Sequence, residues 1–146
     1  MHPDRHRFLG LLPVSASWRG VPGVVRDIFN QTDGSLYLRR IYLLPFLYLH
    51  RIAQADSDRH LHNHPWKWAR SLILSGGYLE AYQDGVASAW TWRTPGKVVK
   101  LGSSLYHRIA LVEPGTWTLF LTGPRTQSWG FITENGFVDY EEYFRG

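Results

Sequence analysis

Short apolar runs, each closed by turn residues, recur along almost the whole chain. SLYLRRIYLL (35–44) ends at Pro45, and FLYLHRIA (46–53) ends in the polar stretch QADSD. HLHNH (60–64), WARSLILS (68–75) and YLEAYQ (78–83) follow, separated by Pro65 and by Gly76-Gly77. After Asp84-Gly85, a strong hairpin signal, come SAWTWRT (88–94), KVVKL (97–101), SLYHRIALV (104–112), TWTLFLTG (116–123) and SWGFIT (128–133). Glu134-Asn135-Gly136 makes a last turn. Strands spaced about every 8 to 12 residues predict an all-β sandwich or barrel. A helical period is sustained nowhere, and only 46–55 can be read either way.

Residues 1–22, rich in Pro, Gly and Arg, read as an irregular or edge-strand lead-in, and 23–146 as one domain around one core. So many strands need their edges closed, which makes a jelly roll or barrel the economical architecture.

Composition narrows the function classes. The 146 residues include 7 Trp, 8 Tyr and 7 Phe, enough rings to line a cavity as well as fill a core. The net charge of +4 is spread without any run of four basic residues, which argues against nucleic acid and suits a small anionic substrate. With no cysteine there is no disulfide framework, zinc knuckle or thiol nucleophile. No segment approaches the ~20 apolar residues of a membrane span, and the N-terminus makes a poor signal peptide. The expectation is a cytoplasmic protein with no membrane partner, for which a homodimer is an allowed assembly.

The candidate chemistry lies in the histidines. In an extended strand His60, His62 and His64 share one side. An i, i+2 pair, about 7 Å apart at Cα, converges on one ion comfortably, whereas three in a row span about 13 Å. A third ligand should therefore come from another strand, and His107 is the obvious donor. His50, inside an apolar run, reads as a hydrogen-bonded core histidine.

These residues also carry a family resemblance. His62-Asn63-His64 with Gly76 resembles the first cupin motif, in which His-x-His is followed by a Glu and a closing Gly. Gly96 with His107 resembles the second. The family's Glu falls on Ala69 (or Trp68), and Gly102, Ser104 and Leu111 replace the Pro, Gly and Asn of the second motif. The match covers roughly residues 57–112. It implies a single-domain cupin jelly-roll β-barrel holding one divalent transition metal through His62, His64 and His107. Without the Glu, three neutral imidazoles leave the ion its full charge and open positions, as in the three-His cupins that resemble thiol dioxygenases. HNHPW and the later strands are also similar to small bacterial and phage cupin-like proteins of undefined activity. Imidazole ligands suit Zn, Cu, Fe and Ni, and Mn is also allowed; Fe(II) is favoured by the resemblance.

The implied function is a mononuclear Fe(II)-dependent oxygenase acting on a small molecule. The alternatives are a metal-assisted isomerase, lyase or hydrolase, or a non-catalytic metal- or ligand-binding module. His60 is a candidate general base or a partner of a metal ligand, against a plain surface histidine beside Arg59. Tyr106 and Tyr82 are candidate proton donors. Glu80 could stand in for the missing carboxylate or meet substrate, and Trp66 and Arg125 could line a substrate pocket. Arg108, next to His107, points to the opposite face of its strand.

Overall fold

A computed structural model describes residues 3–57, 59–84 and 87–146. The turn expected at Asp84-Gly85 falls partly outside the described residues. Two antiparallel sheets face each other. One has eight strands in the order β10 (Val98–Gly102), β7 (Trp68–Ser75), β12 (Thr116–Thr122), β5 (Leu47–Ile52), β4 (Leu36–Leu44), β3 (Val24–Phe29), β1 (Arg5–Phe8) and β2 (Leu12–Pro13). The other has six: β14 (Gly136–Asp139), β13 (Gly130–Thr133), β6 (Leu61–His62), β11 (Leu105–Val112), β8 (Tyr78–Asp84) and β9 (Ala87–Arg93). Among the described residues neither sheet closes on itself. No helix there is long and apolar enough to cross a membrane.

The core lies between the sheets. Tyr42, Tyr48, Ile52, Ile73 and Phe120 from the larger sheet cluster with Tyr78, Leu105 and Ile109 from the smaller one. Burial alternates along β7, where Ala69, Ser71 and Ile73 are buried, and along β11, where Leu105, His107 and Ile109 are. Each fully buried large apolar side chain contributes about 1.5–3 kcal/mol, so this two-sided core holds the sheets together. β12 inverts the usual pattern. Its buried face carries Thr116, Thr118, Phe120 and Thr122, while Trp117, Leu119 and Leu121 point outward and are half-buried.

Thr116 secures the turn from β7 into β8. Its hydroxyl oxygen accepts from the Gly77 amide at 2.9 Å and its hydroxyl donates to the Glu113 carbonyl at 2.7 Å. Gly77, at φ 138°, passes so close to β9 that a Cβ there would sit 2.5 Å from the Arg93 carbonyl oxygen. Only glycine fits both constraints.

Some elements follow the sequence expectation and others depart from it. The ambiguous stretch 46–55 contains β5, whose neighbours β4 and β12 complete its hydrogen bonding. β3, within a stretch not read as a strand, pairs along its length with β1 and β4. Residues 1–22 supply β1 and β2, which end the larger sheet. The strand expected at 60–64 shrinks to Leu61–His62, so strict alternation does not run through all three histidines. A short helix, α1 (Tyr140–Arg145), follows β14, capped by the Asp139 side chain accepting from the Glu141 amide at 3.0 Å.

Candidate metal centre and cavity

The six-stranded sheet brings three histidines together. β6 lies between β13 and β11, with His62 directly opposite His107 on one side and Phe131 on the other. His64 follows two residues later, where the chain leaves β6. One ring nitrogen from each of His62, His64 and His107 lies within 4.8 Å of the other two. The Nε2 atoms of His64 and His107 are 2.7 Å apart. Nitrogens bound about 2.0–2.1 Å from one ion sit roughly 3.0–3.4 Å from each other, so modest ring shifts suffice to admit one. The donor set fits a divalent transition metal.

His107 is held from behind. Its Nδ1–H donates to Glu80 Oε1 at 2.6 Å, and the other carboxylate oxygen accepts from Arg93 Nε at 2.6 Å. Glu80 is completely buried on β8 and both its oxygens are engaged, so it sits behind His107 and outside the cavity wall. Holding the proton on Nδ1 leaves the Nε2 lone pair of His107 facing the other two histidines.

The electrostatics favour neutral ligands. Burial, reinforced by neighbouring His107, lowers the His62 pKa to about 4, against the opposing pull of Asp56 and Glu80. Burial and then His107 and His62 push His64 well below its ordinary value. Burial alone would raise the Glu80 carboxyl, but its hydrogen bonds and charge interactions with His107 and Arg93 hold it below the usual range. Near neutral pH His62 and His64 are therefore unprotonated and able to ligate, with a carboxylate behind the third ligand.

A cavity of about 110 Å³ opens beside the cluster. The three histidines form part of its wall, and much of the rest is apolar: Trp66, Phe120, Leu38, Ile52, Leu101 and Ile109. Trp66 stacks on His64 at 5.6 Å between ring centroids and packs against Phe120 at 5.5 Å. Asp56 also reaches the wall; its Oδ2 accepts from the Ile109 amide at 2.5 Å and its Oδ1 from the Tyr37 hydroxyl.

The other residues singled out from the sequence lie elsewhere. His60 turns away from the cluster, its Nδ1 2.9 Å from the Tyr143 hydroxyl on α1 and its Nε2 3.2 Å from Glu134. Tyr106 neighbours His107 on β11 and so occupies the opposite face. Tyr82 lies directly across from His107 on β8, under the Arg93 guanidinium. Arg125 is exposed, and its backbone bridges to Trp66.

Sequence reasoning missed the wall facing the histidines. Arg40, His50 and Thr118 lie directly across from one another on β4, β5 and β12, a polar row within the buried face. Arg40 Nε donates to His50 Nε2 at 2.9 Å, and the His50 ring stacks on Phe120 at 5.0 Å. Burial and then the Arg40 charge push His50 well below its ordinary pKa, and burial also lowers that of Arg40. Thr118, 1% exposed, has no partner for its hydroxyl among the described residues. Arg40 lies within an apolar run, and only the pairing of three distant strands assembles the row.

No family model matches the sequence, and no curated protein matches it. Among solved structures, that of Fe(II)-HppE with the alternative substrate (S)-1-HPP superposes on 67% of this chain with 13% identity and a TM-score of 0.48. Hydroxypropylphosphonic acid epoxidase from S. wedmorenis covers 66% at 13% identity and 0.44. Peruvianin-I, a cysteine peptidase from Thevetia peruviana latex, covers 86% at 15% identity and 0.49. The chain spans about half the length of the HppE structures, 55% and 54%. Likenesses at this level leave function to be argued from the residues themselves.

Proposed function

We propose that this chain is a cupin-type metalloprotein in which His62, His64 and His107 hold one divalent transition metal, Fe(II) by preference, and that it acts as an oxygenase on a small molecule. One observation carries the reading: three imidazoles, two of them pushed toward the neutral form, converge at the wall of a partly open, ring-lined cavity. Three protein ligands would leave coordination positions open, and an iron held there would supply O2 chemistry. The chain's own groups would do the rest. Glu80 fixes the tautomer of His107, Trp66 and Phe120 give the cavity an apolar wall, and that wall orients the substrate. The absence of a carboxylate ligand at Ala69 favours an oxygenase over a site that is coordinatively filled.

The reading is tested in two steps. Purified protein should carry close to one transition metal per chain by elemental analysis, and His62→Ala/His64→Ala should carry almost none while keeping its β-rich far-UV spectrum. The iron form should then take up O2 when a substrate is supplied. Turnover that continues without O2 would move the assignment to a Lewis-acid isomerase, lyase or hydrolase.

A further inference from the structure

The cavity has two unlike ends. The six-stranded sheet contributes the histidine cluster, and the eight-stranded sheet contributes the row Arg40, His50 and Thr118. An aromatic row, Tyr42, Tyr48 and Phe120, flanks it on one side and an aliphatic row, Leu38 and Ile52, on the other. The polar row is thus set inside otherwise apolar surface.

Among the described residues no Asp or Glu forms an ion pair with Arg40. Its contacts are neutral: His50 Nε2 accepts from its Nε, the Tyr42 side chain hydrogen-bonds to it, and its guanidinium carbon lies 4.6 Å from the centroid of the Tyr48 ring. The nearest cavity carboxylate, Asp56, is engaged by the Ile109 amide and the Tyr37 hydroxyl. Its cross-strand neighbour on the other side is a second cation, Arg26, which is itself paired with Asp4. Arg40 is half-buried, and a partly desolvated cation without a counter-charge favours an anion beside it.

Thr118 points to the same end. Its hydroxyl is buried on the cavity wall without a partner among the described residues, a state native proteins rarely leave unfilled. β4 and β12 lie about 10 Å apart across β5. His50, the cross-strand partner of both Arg40 and Thr118, stands between them and accepts from Arg40 Nε. The cavity volume, about 110 Å³, equals roughly three to four waters at their liquid volume. That room suits a carboxylate with a short carbon stem.

We propose that Arg40 and Thr118 form an anion subsite that binds the carboxylate of a small organic acid, directing the rest of that molecule toward His62, His64 and His107. As an account of substrate class the inference rests on the metal reading above, but the subsite itself is made by residues that ligate nothing in it. Arg40 supplies the charge, the Thr118 hydroxyl donates a hydrogen bond, and His50 holds the Arg40 side chain in place.

Acetate is the probe, with acetamide as its uncharged counterpart and sodium chloride matching the ionic strength. Binding is measured by calorimetry and by thermal denaturation, on the metal-loaded chain and on metal-free His62→Ala/His64→Ala, where acetate cannot be held by an ion. Acetate should bind and raise the midpoint in both forms, and acetamide should do neither. Arg40→Met should abolish binding, Thr118→Val should weaken it about tenfold, and Arg40→Lys should retain part of it. Because Thr118→Val removes no charge and keeps the shape, it remains informative if Arg40→Met fails to fold. Equal effects of acetate and acetamide, or undiminished acetate binding in Thr118→Val and Arg40→Lys, would overturn the subsite. Tighter binding of inorganic phosphate than of acetate would overturn the carboxylate class. Arg40-dependent acetate binding in a chain that takes up no metal would retain the subsite and remove the metal reading; full metal content without it would do the reverse.

Discussion

Replacing Glu80 with Gln isolates the group behind the third histidine. The carboxylate is fully buried and accepts two bonds of 2.6 Å, one from His107 Nδ1–H and one from Arg93 Nε–H. The amide of Gln offers one acceptor and one donor, so it can satisfy one of these partners and must present N–H to the other. One bond to a charged group, worth about 1.5–3 kcal/mol, is therefore lost. The Arg93 side chain is 23% exposed and can turn partly to water, which puts the expected loss of stability toward the lower end. Metal affinity should fall separately, because a ligating imidazole loses the carboxylate that orients it and raises its basicity. Losses of this kind are about 10- to 100-fold, or roughly 1.4–2.8 kcal/mol. Competition with a chromophoric chelator for Zn(II) measures the affinity, and urea denaturation of the metal-free protein measures the stability. An affinity within twofold of wild type, in a protein that is destabilised as expected, would refute the claim that Glu80 acts through His107. It would leave Glu80 as a purely structural counter-ion for Arg93.

Two further substitutions test the turn that delivers Glu80. Thr116→Val keeps the shape of the side chain but strands the buried Gly77 amide, and should cost about 1–3 kcal/mol in urea denaturation. Gly77→Ala would place a Cβ 2.5 Å from the Arg93 carbonyl oxygen at φ 138°, and should destabilise by about 1–3 kcal/mol, read as a lower thermal midpoint with β9 affected first in hydrogen exchange.

The all-β character and most strand positions were legible because turn residues punctuate apolar runs of strand length. The three histidines were legible for a different reason. His62 and His64 are two apart, and the spacing of His107 within its own motif points to a second strand, so no knowledge of pairing was needed to group them. What stayed hidden depends on register. Glu80 stands out as an acid in an apolar strand, but that it backs His107 follows only from the pairing of β8 with β11. Arg40, His50 and Thr118 are as much as 78 positions apart, counted from 40 to 118, and become neighbours only through β4, β5 and β12. β3 was missed because Arg26 and Asp27 interrupt its apolar pattern; Asp27 instead takes ion pairs from Arg7 and Arg39. The end of the chain did carry a signal, Asp139 followed by Glu141 and Glu142, which marks the start of α1.

Counting charge around the cavity joins the two proposed subsites. Behind His107 the Glu80 carboxylate faces the Arg93 guanidinium, and the two cancel. On the wall Asp56 and Arg40 contribute one charge of each sign, although they are not paired with each other. His62 and His64 are neutral near pH 7 because burial disfavours their charged forms. A dication held by three imidazoles would therefore have no neutralising ligand in the protein, and the cavity would carry a surplus of two positive charges. No carboxylate is among the three clustered candidate ligands to lower that surplus. The compensating negative charge has to arrive with the occupant. A small carboxylate anchored at Arg40 and Thr118 supplies part of it, and its far end, directed at the histidines, can supply the rest as an anionic donor. The same surplus explains why a neutral analogue of equal size should bind poorly even though most of the wall is apolar.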